Sequence, residues 1–199
     1  MGGLDDEQVR LIKTDTNHNG EWIALSHQWG PGPRYFSTTQ QNIKDHMKGM
    51  KLVNMAATFR DAILVTRALG LKYIWIDSIC IIQGEGGDFN QEAKRMEDVY
   101  SGAYCVLAAS RAANHFSGFL GPRNDRDVVA LSKENEAPFH ICEMIDDFKA
   151  HVLDGDLNKR GWVMQEHALA RRTIFFTDHQ IYWECGEGVR CETMTKMKK

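Results

Sequence analysis

Between Trp22 and Cys185, short apolar runs alternate with stretches whose apolar residues recur at helical spacing, and this alternation limits the fold more than any other feature. The runs are Trp22 to Leu25, Tyr73 to Ile76, YCVLAAS from Tyr104, TIFF from Thr173 and QIYWEC from Gln180. Each has the length of a strand, and Tyr73 to Ile76 is unbroken aromatic and β-branched, the pattern of a strand buried on both faces. NMAATFRDAILVTRALG puts Met55, Phe59, Ala62, Ile63 and Leu69 on one helical stripe, with Asn54 as N-cap and Gly70 as stop. After Asp88 as N-cap, FNQEAKRMEDVYSGA puts Ala93, Met96, Val99, Tyr100 and Ala103 on another, and Glu92 falls in its first turn, where the macrodipole favours an acid. A third helix is expected over RGWVMQEHAL from Arg160. The order strand, helix, strand, helix, strand, excursion, helix, strand, strand predicts an α/β fold. Its central sheet is expected to be mostly parallel, flanked by helices on both faces and joined by right-handed crossovers.

A chain of 199 residues with 43% hydrophobic content buries one sizeable core, and no Ser/Gly/Pro-rich linker divides it. Residues 1–20 read as a polar N-terminal extension, 21–187 as the domain, and 188–199 as a polar tail. Residues 122–156 are expected to form an insertion before the last helix, with a hairpin as its simplest form. The formal charge is -3, with Lys and Arg scattered among acids, which argues against duplex nucleic acid as a partner. The N-terminus lacks the apolar core of a signal peptide and no run reaches membrane-spanning length, so a soluble intracellular protein is expected. Five cysteines without CxxC spacing read as reduced thiols, Cys80 and Cys105 inside strand-like runs. The dispersed histidines predict no metal site.

Chemistry-bearing residues gather where strands end. Leu25 is followed by Ser26-His27-Gln28-Trp29-Gly30, a polar tip on a buried strand, and ligands of open α/β sheets bind at such carboxyl ends. Asp77-Ser78 closes the second run. A buried acid there either caps a loop through backbone N–H groups or faces a ligand, and the sequence leaves both open. On the last helix Trp162 precedes Glu166 by one turn, so the two share a face. A carboxylate held against an indole has its charged form disfavoured, as acid/base groups require, although the same spacing also suits plain core packing. Arg160 stands at the helix start, where an anion-binding or a loop-pinning role fits. Gly84, Gly86 and Gly87 are not a phosphate loop, and no G-x-G-x-x-G marks a strand–helix junction. Ser26 lacks a G-x-S-x-G elbow, which leaves a serine hydrolase without support.

ALSHQWG, YIWIDSICIIQ followed by Glu92, Met96 and Tyr100, RGWVMQEHALARRTIFF and YWEC together resemble the three blocks of the fungal heterokaryon incompatibility (HET) domain, in order from Trp22 to Cys185. Two departures stand out: HET domains usually read S-Y-x-W-G and D-W-x-x-E, where this chain has Ser26-His27 and Asp88-Phe89. The resemblance implies a cytoplasmic domain of non-self recognition and regulated cell death, either a short family member or a domain cut from a longer chain. HET domains also resemble, at a distance, the flavodoxin-like Toll/interleukin-1 receptor (TIR) domain. There ALS is similar to the first strand, YIWID to the second, and RGWVMQE to the helix bearing W-x-x-x-E. In enzymatic TIR domains that Glu supports cleavage of the nicotinamide–ribose bond of NAD. Carried over, the resemblance implies Glu166 as catalytic acid and Trp162 as its packing partner. Ser26, Trp29, Gly30, Asp77, Ser78 and Arg160 would line the pocket, with NAD as substrate, no required cofactor and no metal. It equally implies an adaptor that works by self-association without catalysis.

Overall fold

The computed structural model describes residues 7–15, 18–31, 36–123, 128–132, 139–142 and 144–197, and only the backbone of Trp162, Met164 and Gln165. Its principal elements are β1 (Trp22–Ser26), α1 (Ala57–Ala68), β2 (Tyr73–Trp75), α2 (Asp77–Cys80), α3 (Met96–Gly102), β3 (Cys105–Ala108), α4 (Gly161–Leu169), β4 (Arg172–Phe176), β5 (Ile181–Cys185), β6 (Gly188–Cys191) and β7 (Lys196–Met197). The strands form one sheet in the order β7-β6-β5-β4-β3-β1-β2. β2, β1, β3 and β4 run parallel; β4, β5, β6 and β7 pair antiparallel. The sheet is therefore mixed, which corrects the expectation of a mostly parallel one. Helix-bearing connections return the chain in parallel as far as β4, after which only short turns remain, and a short turn can close only an antiparallel pair.

The two faces of the parallel half follow from the pleat. Ile23 and Leu25 of β1, with Cys105 and Leu107 of β3, point to one side, where they pack with Phe59, Ala62 and Ile63 of α1. Trp22 and Ala24, with Val106, point to the other, where α3 supplies Tyr100, Met96 and Val99 and the end of α4 supplies Leu169. The pleat thus sets Ser26 on the α3/α4 side. The expected core stripe of α1 is buried at Met55, Phe59, Ala62 and Ile63, whereas Leu69 is 44% exposed because the helix ends at Ala68. Asn54 belongs to a separate 3-10 turn (Leu52–Asn54), so Ala56, not Asn54, occupies the N-cap position of α1.

Three further expectations change. β2 is the edge strand of the sheet and its three residues are half-buried, because among the described residues only β1 flanks it. Cys80 lies in the helical turn α2, not in a strand; burial there pushes its thiol up to about 12, so it stays protonated. Residues read as a polar tail supply β6 and β7, and Val189 and Cys191 are each 1% exposed against Phe175, Tyr182 and Val163. Two apolar residues at alternate positions are too brief a pattern to announce a strand from sequence. Within the insertion, Val128–Leu131 pairs antiparallel with Phe139–Cys142, as a hairpin should. Near the N-terminus Gln8–Val9 adds an antiparallel edge to Met50–Lys51.

Candidate functional site

The chain passes from β1 to β2 on one side and then crosses back to β3 on the other. The loops leaving β1 and β2 meet α3 and α4 at the carboxyl edge of the parallel strands. Glu166, on α4, faces this edge. Trp29, Asp77, Ile81, Gln83, Phe89, Met96, Arg160 and Glu166 line a cleft of about 210 Å³. Four of the residues expected from sequence, Trp29, Asp77, Arg160 and Glu166, thus meet in one place.

Glu166 is 8% exposed, and its Oε2 makes no hydrogen bond. Burial raises its carboxyl to about 7, reinforced by the charge of Asp77. The Ser26 and Tyr100 hydroxyls and the Arg160 guanidinium pull the other way. Ser26 is 3% exposed, and its Oγ also lacks a hydrogen-bond partner of ordinary geometry. The pleat puts Ser26 on the α3/α4 side of the sheet, where its hydroxyl acts on the Glu166 carboxyl without lining the cleft. Tyr100 OH donates to Leu25 O at 3.4 Å, and burial holds its hydroxyl well above the usual range.

Asp77 opens α2 with its side chain 22% exposed. Trp29 Nε1 donates to Oδ2 at 2.8 Å and Ser78 N to Oδ1 at 2.6 Å. Burial raises the Asp77 carboxyl, while these two donors favour its charge. One backbone N–H and one indole N–H thus hold the carboxylate, which also borders the cleft. Ser78 is fully buried and contributes its N–H; its hydroxyl makes no hydrogen bond.

Arg160 Nη1 donates to His27 O at 2.6 Å, so it pins the β1 loop and its guanidinium also borders the cleft. Gly30 does not line the cleft. It adopts φ +80°, and a Cβ there would lie 2.2 Å from Asn114 Cβ, so it is the point where the β1 and β3 loops touch. The Trp162 side chain lies outside the described residues, and with it the expected indole–carboxylate contact.

Four of the lining residues, Ile81, Gln83, Phe89 and Met96, were not expected, nor was the ring cluster around His115. His115, fully buried in the loop after β3, packs its ring 4.9 Å from His27, 4.8 Å from Phe59 and 5.5 Å from Trp29. Burial lowers His115 to about 4 and His27 to about 3, so both are neutral imidazoles at neutral pH. The sequence signal was slight: a lone His in a turn-rich loop. His27, the first departure from the HET pattern, is 3% exposed inside this ring cluster and does not line the cleft. Phe89, the second, does line it.

On the other side of the β1 loop, a second and more polar cleft of about 430 Å³ is lined by Gln28, Ser110, Arg111, His151, Thr177 and His179, among others. The insertion contributes to this second cleft and, among the described residues, not to the Glu166 cleft. Among the described residues no three His, Cys, Asp or Glu side chains are grouped to hold a metal, and no helix is long and apolar enough to cross a membrane.

The family model described as Heterokaryon incompatibility protein (HET) matches residues 22–166, which run from the first residue of β1 to Glu166 itself. Heterokaryon incompatibility protein 6, OR allele, of Neurospora crassa is 22% identical over 197 residues, covering 80% of this chain and 29% of that protein. The chain thus spans less than a third of that relative's length. No solved structure matches. A match that begins at β1, runs through both central loops and ends on the cleft's carboxylate covers most of the chain: it belongs to the heterokaryon incompatibility (HET) family.

Proposed function

We propose that the domain acts in fungal non-self recognition, and that the Glu166 cleft works by cleaving the nicotinamide–ribose bond of NAD when copies of the chain associate. One observation carries this reading. A carboxyl poised near 7, with an oxygen that no group among the described residues satisfies, sits at the carboxyl edge of the sheet. In the reaction the C1′–N bond breaks, its electron pair leaves with nicotinamide, and water adds to the oxocarbenium-like ribose with loss of a proton. The ionised Glu166 stabilises the positive ribose, and nicotinamide needs no protonation to leave. The strand order β2-β1-β3-β4 is that of the first four strands of a flavodoxin-like sheet, which supports the kinship with TIR domains.

A second reading, a self-associating adaptor without catalysis, is favoured by one dimension: the cleft holds about 210 Å³, below the roughly 300–1,000 Å³ of ordinary ligand pockets. It takes one ring and its substituents, and a whole dinucleotide only if the site opens. Nicotinamide release from NAD, measured chromatographically over a range of protein concentrations beside a folded Glu166→Gln variant, separates the two. Release that rises faster than protein concentration and vanishes in the variant supports the hydrolase. No release even from clustered protein leaves the adaptor.

A further inference from the structure

Asp77 borders the cleft, yet each of its oxygens already holds a protein donor, Trp29 Nε1–H on Oδ2 and Ser78 N–H on Oδ1. Trp29 is fixed from other directions too. The ring of His115 meets it at 5.5 Å and 61°. Gly30 after it is wedged against Asn114, whose own carbonyl accepts Thr58 Oγ1 at 2.9 Å. Before it, the carbonyl of His27 is held by Arg160. An indole locked by a charge-assisted hydrogen bond and by its flanking backbone is a preorganised wall. With Phe89, Met96 and Ile81 it makes an apolar surface facing Glu166 and Arg160. A planar heteroaromatic ring with polar substituents suits that division.

We infer that Asp77 is a positioning residue, which orients the Trp29 indole as the wall for a planar ring in the Glu166 cleft and makes no ligand contact of its own. The inference rests on the reading of that cleft as the working site. Its consequence is energetic coupling: with the indole donor removed, Asp77 has nothing left to position.

The test is a double-mutant cycle on nicotinamide release, with D77N, W29F and the pair together. Each single change is expected to lower kcat/KM about tenfold, the worth of one charge-assisted hydrogen bond, chiefly through KM. The pair is expected to be no worse than W29F alone. Effects that multiply to about a hundredfold overturn the inference, since Asp77 then acts by a route other than the indole. A second measurement uses the wild-type protein and needs neither turnover nor a variant that folds. Nicotinamide mononucleotide, followed by NMR, is expected to shift the Trp29 ring resonances and to leave the Asp77 carboxyl carbon in place. A larger shift at Asp77 than at Trp29, or none at Trp29, overturns the inference. Absent nicotinamide release with the expected Trp29 shifts removes the hydrolase reading and leaves the positioning role standing.

Discussion

Replacing Glu166 with Gln keeps the shape of the side chain and removes its charge, so the pH dependence of the change in stability isolates what that charge costs. Glu166 is raised from 4.5 to about 7 in the folded protein. A carboxyl raised on folding contributes stability that is complete below its unfolded value and lost as pH rises through the folded one. At about 1.4 kcal/mol per pH unit of displacement, the ionised folded state bears roughly 3 kcal/mol at high pH. Between pH 5 and 8.5, E166Q should therefore gain about 2–3 kcal/mol relative to wild type. Repulsion from Asp77 is one source of the elevation and is already counted in it. Urea unfolding at 25 °C, with equal m-values for the two proteins at each pH, reads the difference directly. Titration of the buried histidines is common to both proteins and cancels. A difference that stays within about 0.5 kcal/mol across that range would falsify the claim that the fold holds a costly charge at the cleft.

Acid should act in the opposite sense through the imidazoles. His27 and His115, lowered to about 3 and about 4 by burial, lose stability as pH falls from 6.5, so H27F is expected to flatten the acid limb of the urea midpoint between pH 6.5 and 4. Gly30→Ala combines a left-handed backbone with a Cβ driven into Asn114, and should cost more than about 2 kcal/mol of unfolding free energy or prevent folding. An unchanged Tm would refute the contact between the two loops. Arg160→Met leaves the His27 carbonyl without its donor, for an expected loss of about 1–2 kcal/mol in thermal unfolding, and a gain would count against the pin. If the cleft hydrolyses NAD through ionised Glu166, kcat/KM should rise with pH through about 7, and a profile flat from pH 6 to 8 would contradict that role.

The parallel half of the fold was legible because its strands are continuous apolar runs and its helices carry full stripes, as at Phe59, Ala62 and Ile63. Half of the cleft was legible for a related reason: polar residues at the ends of buried runs and on the last helix, Trp29, Asp77, Arg160 and Glu166, meet at one sheet edge, whereas Ser26, Gly30 and Ser78 do not line it. Burial of β2 was misread since an edge strand and a central one share a composition, and only the neighbour count tells them apart. β6 escaped notice because Val189 and Cys191 are its whole apolar signal. His115 could not be paired with His27 from sequence, since the contact depends on two loops that Gly30 brings together. The role of Asp77 was half-read: a buried acid needs donors, but that one of them is the Trp29 indole is a matter of tertiary geometry.

The measurement that tests the central claim most directly is a titration of the Glu166 carboxyl carbon by NMR from pH 4 to 9, without and with nicotinamide mononucleotide. A midpoint near 7 in the free protein that moves by about one pH unit or more on adding the nucleotide is the predicted result. A midpoint near 4.5, unmoved by the nucleotide, would contradict it and leave Glu166 a structural carboxylate.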